Sequence, residues 1–286
     1  MSVTTDASVA DLVDAAFRAA AVDRAGFTYS PKPGPPTPLR SVFSDDLVLT
    51  VAVSDDGRRM NLVEAACRSW AAAHGIGVPT VQASAPDGAW LLAEAVAAQA
   101  PEGSGYVDAG LDAADLIAAL DPPTLDVPPS GWRGDGSRID LIVRLGRSLL
   151  GRLPVHRFVA ARRAAAGLTD LTTSHGDLYR RNVLARSATE VAVIDWEFVG
   201  PAPRFTDHVR LWSTLRRAED RELAWARITT GLDAGQREHL AVLTEWMTLR
   251  LLAENLAAPR SQRDKADLAH ARRVVKEARR LTAALR

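Results

Sequence analysis

"TSHGDLYRRNVLARSATEVAVIDWE", residues 173–197, is the stretch on which the reading of this chain turns. It sets His175, Asp177, Asn182, Asp195 and Glu197 between apolar runs. Polar side chains wedged in this way are either surface turns or a site. "NVLA" and "EVAVIDW" are β-rich runs joined by the turn "RSAT", a pattern that predicts a hairpin. Asn182 falls just before its first strand, Asp195 near the end of its second, and Asp177 on the loop leading in. A hairpin brings the two ends of such a segment together, so two carboxylates and an amide are expected to converge.

That set of groups suits one chemistry. A hard dication such as Mg²⁺ takes oxygen ligands and is usually held by one or two protein groups plus phosphates. Asn182 and Asp195 fit that description. A further carboxylate close by, not itself a main ligand, accepts the proton of a hydroxyl and orients it for attack. Asp177 fits that one. Together they form the layout of phosphoryl transfer, in which positioning and charge neutralisation supply most of the catalysis. Taken singly, Asp177 reads as a turn cap and Asp195 as the end of a strand.

Composition narrows the alternatives. With 286 residues the chain is long enough for two lobes and a sizeable core. Lys+Arg and Asp+Glu both number 35, so the formal net charge is zero, and nothing electrostatic favours nucleic acid or an anionic membrane surface. Cys67 is the only cysteine, which excludes an internal disulfide and a cysteine-based metal site and leaves a small buried hydrophobe. The N-terminus carries acidic residues and no basic n-region, and no apolar run is long enough to span a bilayer, so a soluble cytoplasmic protein is expected.

The elements around the central stretch are read from periodicity. Residues 6–22 have helical spacing; "FTYSPKPGPPTPL" is too rich in proline for a helix; "SVFSDDLVLTVAVSDDG" reads as two strands bounded by the turns "SDD" and "SDDG". "RMNLVEAACRSWAAAHGIG" reads as a helix, and "VPTVQAS" and "GAWLLAEAV" as two further strands. Residues 1–96 are therefore expected to form a small antiparallel sheet crossed by a helix. Residues 97–286 are expected to be mainly helical: 111–120, 138–167 with a break near Pro154, and everything after Pro203 with interruptions near Gly231 and Pro259.

"HGDLYRRN", followed by "VIDWE" and "GPAPRFTD", resembles the aminoglycoside phosphotransferase and choline kinase group of kinase-like enzymes. The likeness is densest over residues 138–215, and the order of elements before it matches a kinase small lobe. The resemblance implies an α+β, two-lobed protein-kinase-like fold, Mg²⁺, and ATP or another nucleoside triphosphate as co-substrate. By resemblance Asp177 is the catalytic base and Asn182 and Asp195 are the Mg²⁺ ligands. His175 braces the loop and Asp207 ties it to the following helix. Glu64 matches the small-lobe helix glutamate, and Glu94 to Val96 the hinge whose backbone binds adenine.

The sequence departs from that pattern in the small lobe. The phosphate-clamping lysine is expected at Thr50, and "RSVFSDD" holds no glycine-rich loop. The three lysines, Lys32, Lys265 and Lys276, all lie elsewhere. Three outcomes follow: an arginine substitutes (Arg40, Arg58, Arg59, Arg180 or Arg181), nucleotide binding has been lost, or the donor needs less clamping. If Glu64 is paired, Arg58, Arg59 or Arg40 is the expected partner. For the acceptor pocket the candidates are Trp212, Glu245, Trp246 and Glu254; Arg250 stands one turn before Glu254, which predicts a surface pair between them. The preferred function is phosphate transfer to a hydroxyl of a small metabolite or antibiotic. The alternative is a degenerate kinase-like protein that binds nucleotide or metabolite without turnover. Acceptor, donor base and oligomeric state are not legible.

Overall fold

The computed structural model describes residues 6–29, 39–96, 102–126, 153–257 and 264–286. Its first part is a five-stranded antiparallel sheet in the order β1 (Thr28–Tyr29), β2 (Leu39–Phe43), β3 (Leu47–Ala52), β5 (Trp90–Glu94), β4 (Val81–Ser84). β3 is paired on both sides, so both of its edges are satisfied and its apolar run is buried. Leu49 and Val51 share one face of the strand and pack with Val13, Ala16 and Phe17 of helix α1 (Asp6–Ala20).

Helix α2 (Asp55–Ala73) packs against β3, β4 and β5. It begins earlier than the sequence suggested, because "SDDG" is its start and not a turn. Ser54 caps it by accepting from the Gly57 amide, and Asp55 and Asp56 sit in the first turn, where the positive end of the helix dipole favours them. Cys67 lies on the inner face, fully buried; burial, and then the Glu64 charge, push its thiol up to about 12, so it behaves as a core hydrophobe.

The second part is mainly helical: α3 (Ser104–Ala119), α4 (Val155–Ala166), α5 (Thr206–Thr214), α6 (Ala218–Thr229), α7 (Ala234–Ala257) and α8 (Lys265–Leu285). Helix α3 starts at Ser104 and not at 111. Of the helix expected over 138–167, residues 138–152 lie outside the described residues, as does Pro259. The run after Pro203 also breaks at Leu215–Arg217, between α5 and α6. Two short ribbons carry the site: β7 (Val183–Ala185) with β8 (Val191–Val193), which is the expected hairpin, and β6 (Leu171–Ser174) with β9 (Gly200–Pro203). The second ribbon has no sequence signal. β9 reads "GPAP", and prolines are accommodated only because a two-stranded ribbon leaves one edge of each strand unpaired.

The two parts meet through the backbone. The Val193 amide of β8 donates to the Gly77 carbonyl at 2.8 Å. A Cβ on Gly77 would stand 2.1 Å from the Val191 carbonyl oxygen, so only glycine lets the chain after α2 lie against the hairpin. Among the described residues no helix is long and apolar enough to cross a membrane.

Candidate active site

The loop from His175 to Asn182 joins β6 to β7 and is held from beneath by Asp207, in the first turn of α5. Asp207 is buried. Its Oδ2 accepts from the His175 amide at 2.7 Å and its Oδ1 from the Gly176 amide at 3.1 Å. Gly176 has φ +81°, and a Cβ there would meet the Phe198 carbonyl oxygen at 2.5 Å, so the residue between histidine and aspartate has to be glycine. His175 is fully buried with its edge against Trp196. Its Nε2 lies 3.0 Å from the Ile194 carbonyl, and its Nδ1 faces the Asp177 amide at 3.3 Å. The neutral Nε2–H tautomer satisfies both contacts.

Asp177 is pinned on one side only. Its Oδ1 accepts from Nε and Nη2 of Arg210 at 3.1 and 2.8 Å. Its Oδ2 has no partner among the described residues, and the side chain is 23% exposed. The carboxylate is thus oriented and still has an oxygen to offer. Arg210 also lies over the Tyr179 ring and reaches Glu254 at 3.7 Å; Glu254 accepts from Arg250 at 2.8 Å. The result is a chain of alternating charge from Asp177 to Arg250. The spacing of Arg250 and Glu254 had indicated their pair. Arg210 was missed, although it stands three residues after Asp207 on the same side of a helix that meets the loop.

Asn182 is buried, and its Nδ2 donates to the Asp177 carbonyl at 3.1 Å, which leaves Oδ1 without a protein partner among the described residues. The Ile194 amide donates to the Asn182 carbonyl at 3.0 Å, so the hairpin does bring the two ends of the segment together. Asp195 lies two residues beyond β8 and not within it, with φ 64°, a left-handed conformation that costs a non-glycine residue free energy. Its side chain is open to solvent, yet the surrounding protein mass and then the Glu64 charge raise its pKa. A dication would relieve such a carboxylate. Among the described residues no three His, Cys, Asp or Glu side chains form a metal cage. A cation here would take the Asn182 and Asp195 oxygens and fill its remaining positions with phosphate oxygens and water, which suits Mg²⁺.

Glu64 is paired, but with none of the arginines expected. Its Oε1 accepts from Arg68 Nε at 2.8 Å and from the Asp195 amide at 3.1 Å; its Oε2 accepts from the Trp196 amide at 2.6 Å. Arg58 is held by Asp87, Arg59 lies near Asp56, and the Arg40 side chain is outside the described residues. Arg68 was missed, although it stands one helical turn after Glu64, a spacing at which such pairs form. Thr50 sits opposite Ser41 and Leu91, its hydroxyl 3.3 Å from that of Ser41, and brings no cation. Glu64 and Arg68 are each 12% exposed, so Arg68→Met should cost about 1–3 kcal/mol in urea unfolding, since it leaves a nearly buried carboxylate with two backbone amides and no bonded cation. Thr50→Lys should add nothing to the native protein and recover stability in the Arg68→Met background. A gain of equal size in both backgrounds would show that Glu64 was not balanced by Arg68.

Glu94 ends β5, and its carboxylate is engaged by both Nη atoms of Arg186, at 2.5 and 2.9 Å, and by the Thr80 amide at 3.0 Å. Arg186 also donates to the Val78 carbonyl. The Glu94 side chain is therefore spent, and its backbone amide donates to the Thr80 carbonyl at 2.9 Å. The Arg186 hydrogen bonds hold the Glu94 pKa down at about 2. The folded pKa lies below the unfolded one, so this contribution is present above the ordinary carboxylate range and is lost as pH falls towards 2. Arg186→Gln should therefore lower stability at neutral pH and flatten the acid limb of a stability–pH curve. An unaltered acid limb would rule out the assignment.

The acceptor candidates divide differently from expectation. Trp212 is fully buried, donating to the Arg221 carbonyl and tilted on Trp225; Trp246 is 3% exposed and tilted on Phe158. Both are core residues, because an aromatic at helical spacing packs inward as readily as it lines a site. Glu245 is paired with Arg157 at 2.5 Å. Glu254 alone is linked to Asp177, through Arg210.

Residues 45–246 match the model of the phosphotransferase enzyme family, and the chain belongs to that family. No curated protein matches the sequence. Among solved structures, a choline/ethanolamine kinase family protein from Mesorhizobium loti is 19% identical, with a TM-score of 0.59 over 96% of this chain and 99% of its own. The GDP and kanamycin complex of APH(2")-IIia is 12% identical, with a TM-score of 0.58 over 95% and 98%. The amicoumacin kinase hAmiN, in complex with AMP-PNP, Ca²⁺ and Ami, is 14% identical, with a TM-score of 0.60 over 96% of each chain. At these identities the likeness establishes the kinase-like fold.

Proposed function

We propose that this protein transfers the terminal phosphate of ATP, or of another nucleoside triphosphate, to a hydroxyl of a small metabolite or antibiotic. The nucleotide lies between residues 1–96 and 97–286, against the Glu94–Val96 backbone. The observation that carries this reading is the Asp177 carboxylate, oriented through one oxygen and open at the other, on the loop that also carries Asn182. Oδ2 takes the acceptor's hydroxyl proton. The hydroxyl oxygen forms a bond to the γ-phosphorus, the bond from that phosphorus to the bridging oxygen breaks, and the nucleoside diphosphate leaves with the electron pair. Mg²⁺, held by Asn182 and Asp195, would supply charge neutralisation at the phosphates. His175 and Asp207 keep the loop in register. The family and the nucleotides held by proteins of similar fold support this reading.

One observation favours the alternative of a binding protein without turnover: Thr50 stands on β3 where a kinase-like enzyme carries its lysine. Thermal stabilisation by Mg-ATP and Mg-GTP, measured beside nucleoside diphosphate release over a panel of hydroxyl acceptors, separates the two. Stabilisation with acceptor-dependent release supports the phosphotransferase; stabilisation with no release over the panel supports the binding protein.

A further inference from the structure

The carboxylates described around the acceptor side are all spoken for. Glu245 is held by Arg157, and Glu254 by Arg250 and Arg210. Asp267, in the first turn of α8, is shared by Arg216 and Arg181, the latter at 3.6 Å. An amine-bearing acceptor would find no carboxylate here that is not already matched by a guanidinium.

The arginines of the site loop are in the opposite position. Arg180 and Arg181 lie between Asp177 and Asn182, and Arg216 follows α5. Among the described residues these three guanidiniums have one carboxylate ion-paired with them, Asp267, a surplus of two positive charges (three minus one). Arg180 is half-buried, and among the described residues its guanidinium has neither an ion pair nor a hydrogen bond; only its backbone is engaged, by Thr214 and Tyr106. Arg181 is 64% exposed and directly precedes Asn182 in the loop that begins at His175.

We infer that Arg180, Arg181 and Arg216 form an oxyanion-binding subsite beside Asp177, and that the acceptor carries a phosphate or carboxylate group in addition to the hydroxyl that is phosphorylated. Guanidinium forks bind both groups through paired hydrogen bonds, and a half-buried arginine without a partner gains most from such a ligand. The acceptor class follows from the proposed phosphotransfer, but the anion subsite is measurable without it.

The binding experiment titrates inorganic phosphate, and separately acetate, into the full chain saturated with a non-hydrolysable ATP analogue, and again without it. Phosphate binding should weaken at least 10-fold in Arg180→Gln and in Arg181→Gln, the second an exposed change that leaves the fold intact. Asp267→Asn removes the competing carboxylate and should tighten phosphate binding, a gain that a merely structural role does not produce. Arg59→Gln serves as the control. Equal phosphate affinity in all variants, or weaker binding in Asp267→Asn, overturns the subsite.

The kinetic experiment compares glycerol, glycerol phosphate, glyceric acid and aminopropanediol as acceptors. A kcat/KM at least 10-fold higher for the phosphate ester or the acid than for the amine, with the acceptor KM raised in Arg180→Gln and the nucleotide KM unchanged, supports the inference. The ratio of ester to acid identifies the anion. Preference for the amine overturns it. Arginine-dependent phosphate binding without turnover of any acceptor sustains the subsite and counts against phosphotransfer.

Discussion

Asp177→Asn is expected to lower turnover by about two or more orders of magnitude while the fold survives, the scale that general base catalysis contributes. The substitution keeps the shape of the side chain, and an amide oxygen can still accept from Arg210. The group facing the acceptor, however, no longer takes a proton. Arg210 loses one negative neighbour and keeps the other, Glu254, so it is not left as an isolated buried charge. A melting temperature near that of the native protein, beside the lost turnover, is the expected pair of results. Near-native turnover in Asp177→Asn would remove Asp177 from the chemistry.

The second large effect concerns Asp195. Asp195→Ala should abolish Mg²⁺-dependent nucleotide binding, because it removes the one anionic ligand of the proposed metal site. With nucleotide at a hundred times Kd the native protein should gain about 2.7 kcal/mol, and the variant should gain none of it. The ligand-free protein should respond with the opposite sign. Its surroundings raise the Asp195 pKa, so the charged form is a cost that the fold bears at neutral pH. Asp195→Asn tests this cleanly, since asparagine tolerates the left-handed backbone that alanine does not. It should melt at or above the native temperature without nucleotide, and fail to be stabilised with it. A variant that binds Mg-nucleotide as tightly as the native protein would place the metal elsewhere.

What the sequence revealed and what it hid follow from contact range. Asp177, Asn182 and Asp195 lie within one hairpin-bearing segment, so turn chemistry and β-branched runs were enough to predict their convergence. The kinase-like fold was legible for the same reason, together with the order of elements ahead of the segment. The bonds that tie the site to the rest of the molecule are of another kind. Glu64 reaches the Asp195 amide across 131 positions of sequence, and Arg186 reaches Glu94 across 92. No local pattern encodes them, and only the one-turn step from Glu64 to Arg68 left a trace. "SDDG" was misread because serine, aspartate and glycine serve a helix start as well as a turn. Trp212 and Trp246 were misplaced because helical spacing says which residues share a face and not what that face meets.

Glu64 makes the proposed metal site a joint property of two pieces of the molecule. The Asp195 and Trp196 amides are fastened by a carboxylate on α2, at the point where the Asp195 backbone is left-handed. The helical piece by itself would carry Asp177, Asn182 and Asp195, the residues proposed for the chemistry, and would present Asp195 without the Glu64 bond to its amide. Docking of α2 therefore acts as a checkpoint. Displacing that helix would break the Glu64 bonds to the Asp195 and Trp196 amides, so a substitution on the buried side of α2 is expected to weaken the proposed site without touching Asp177.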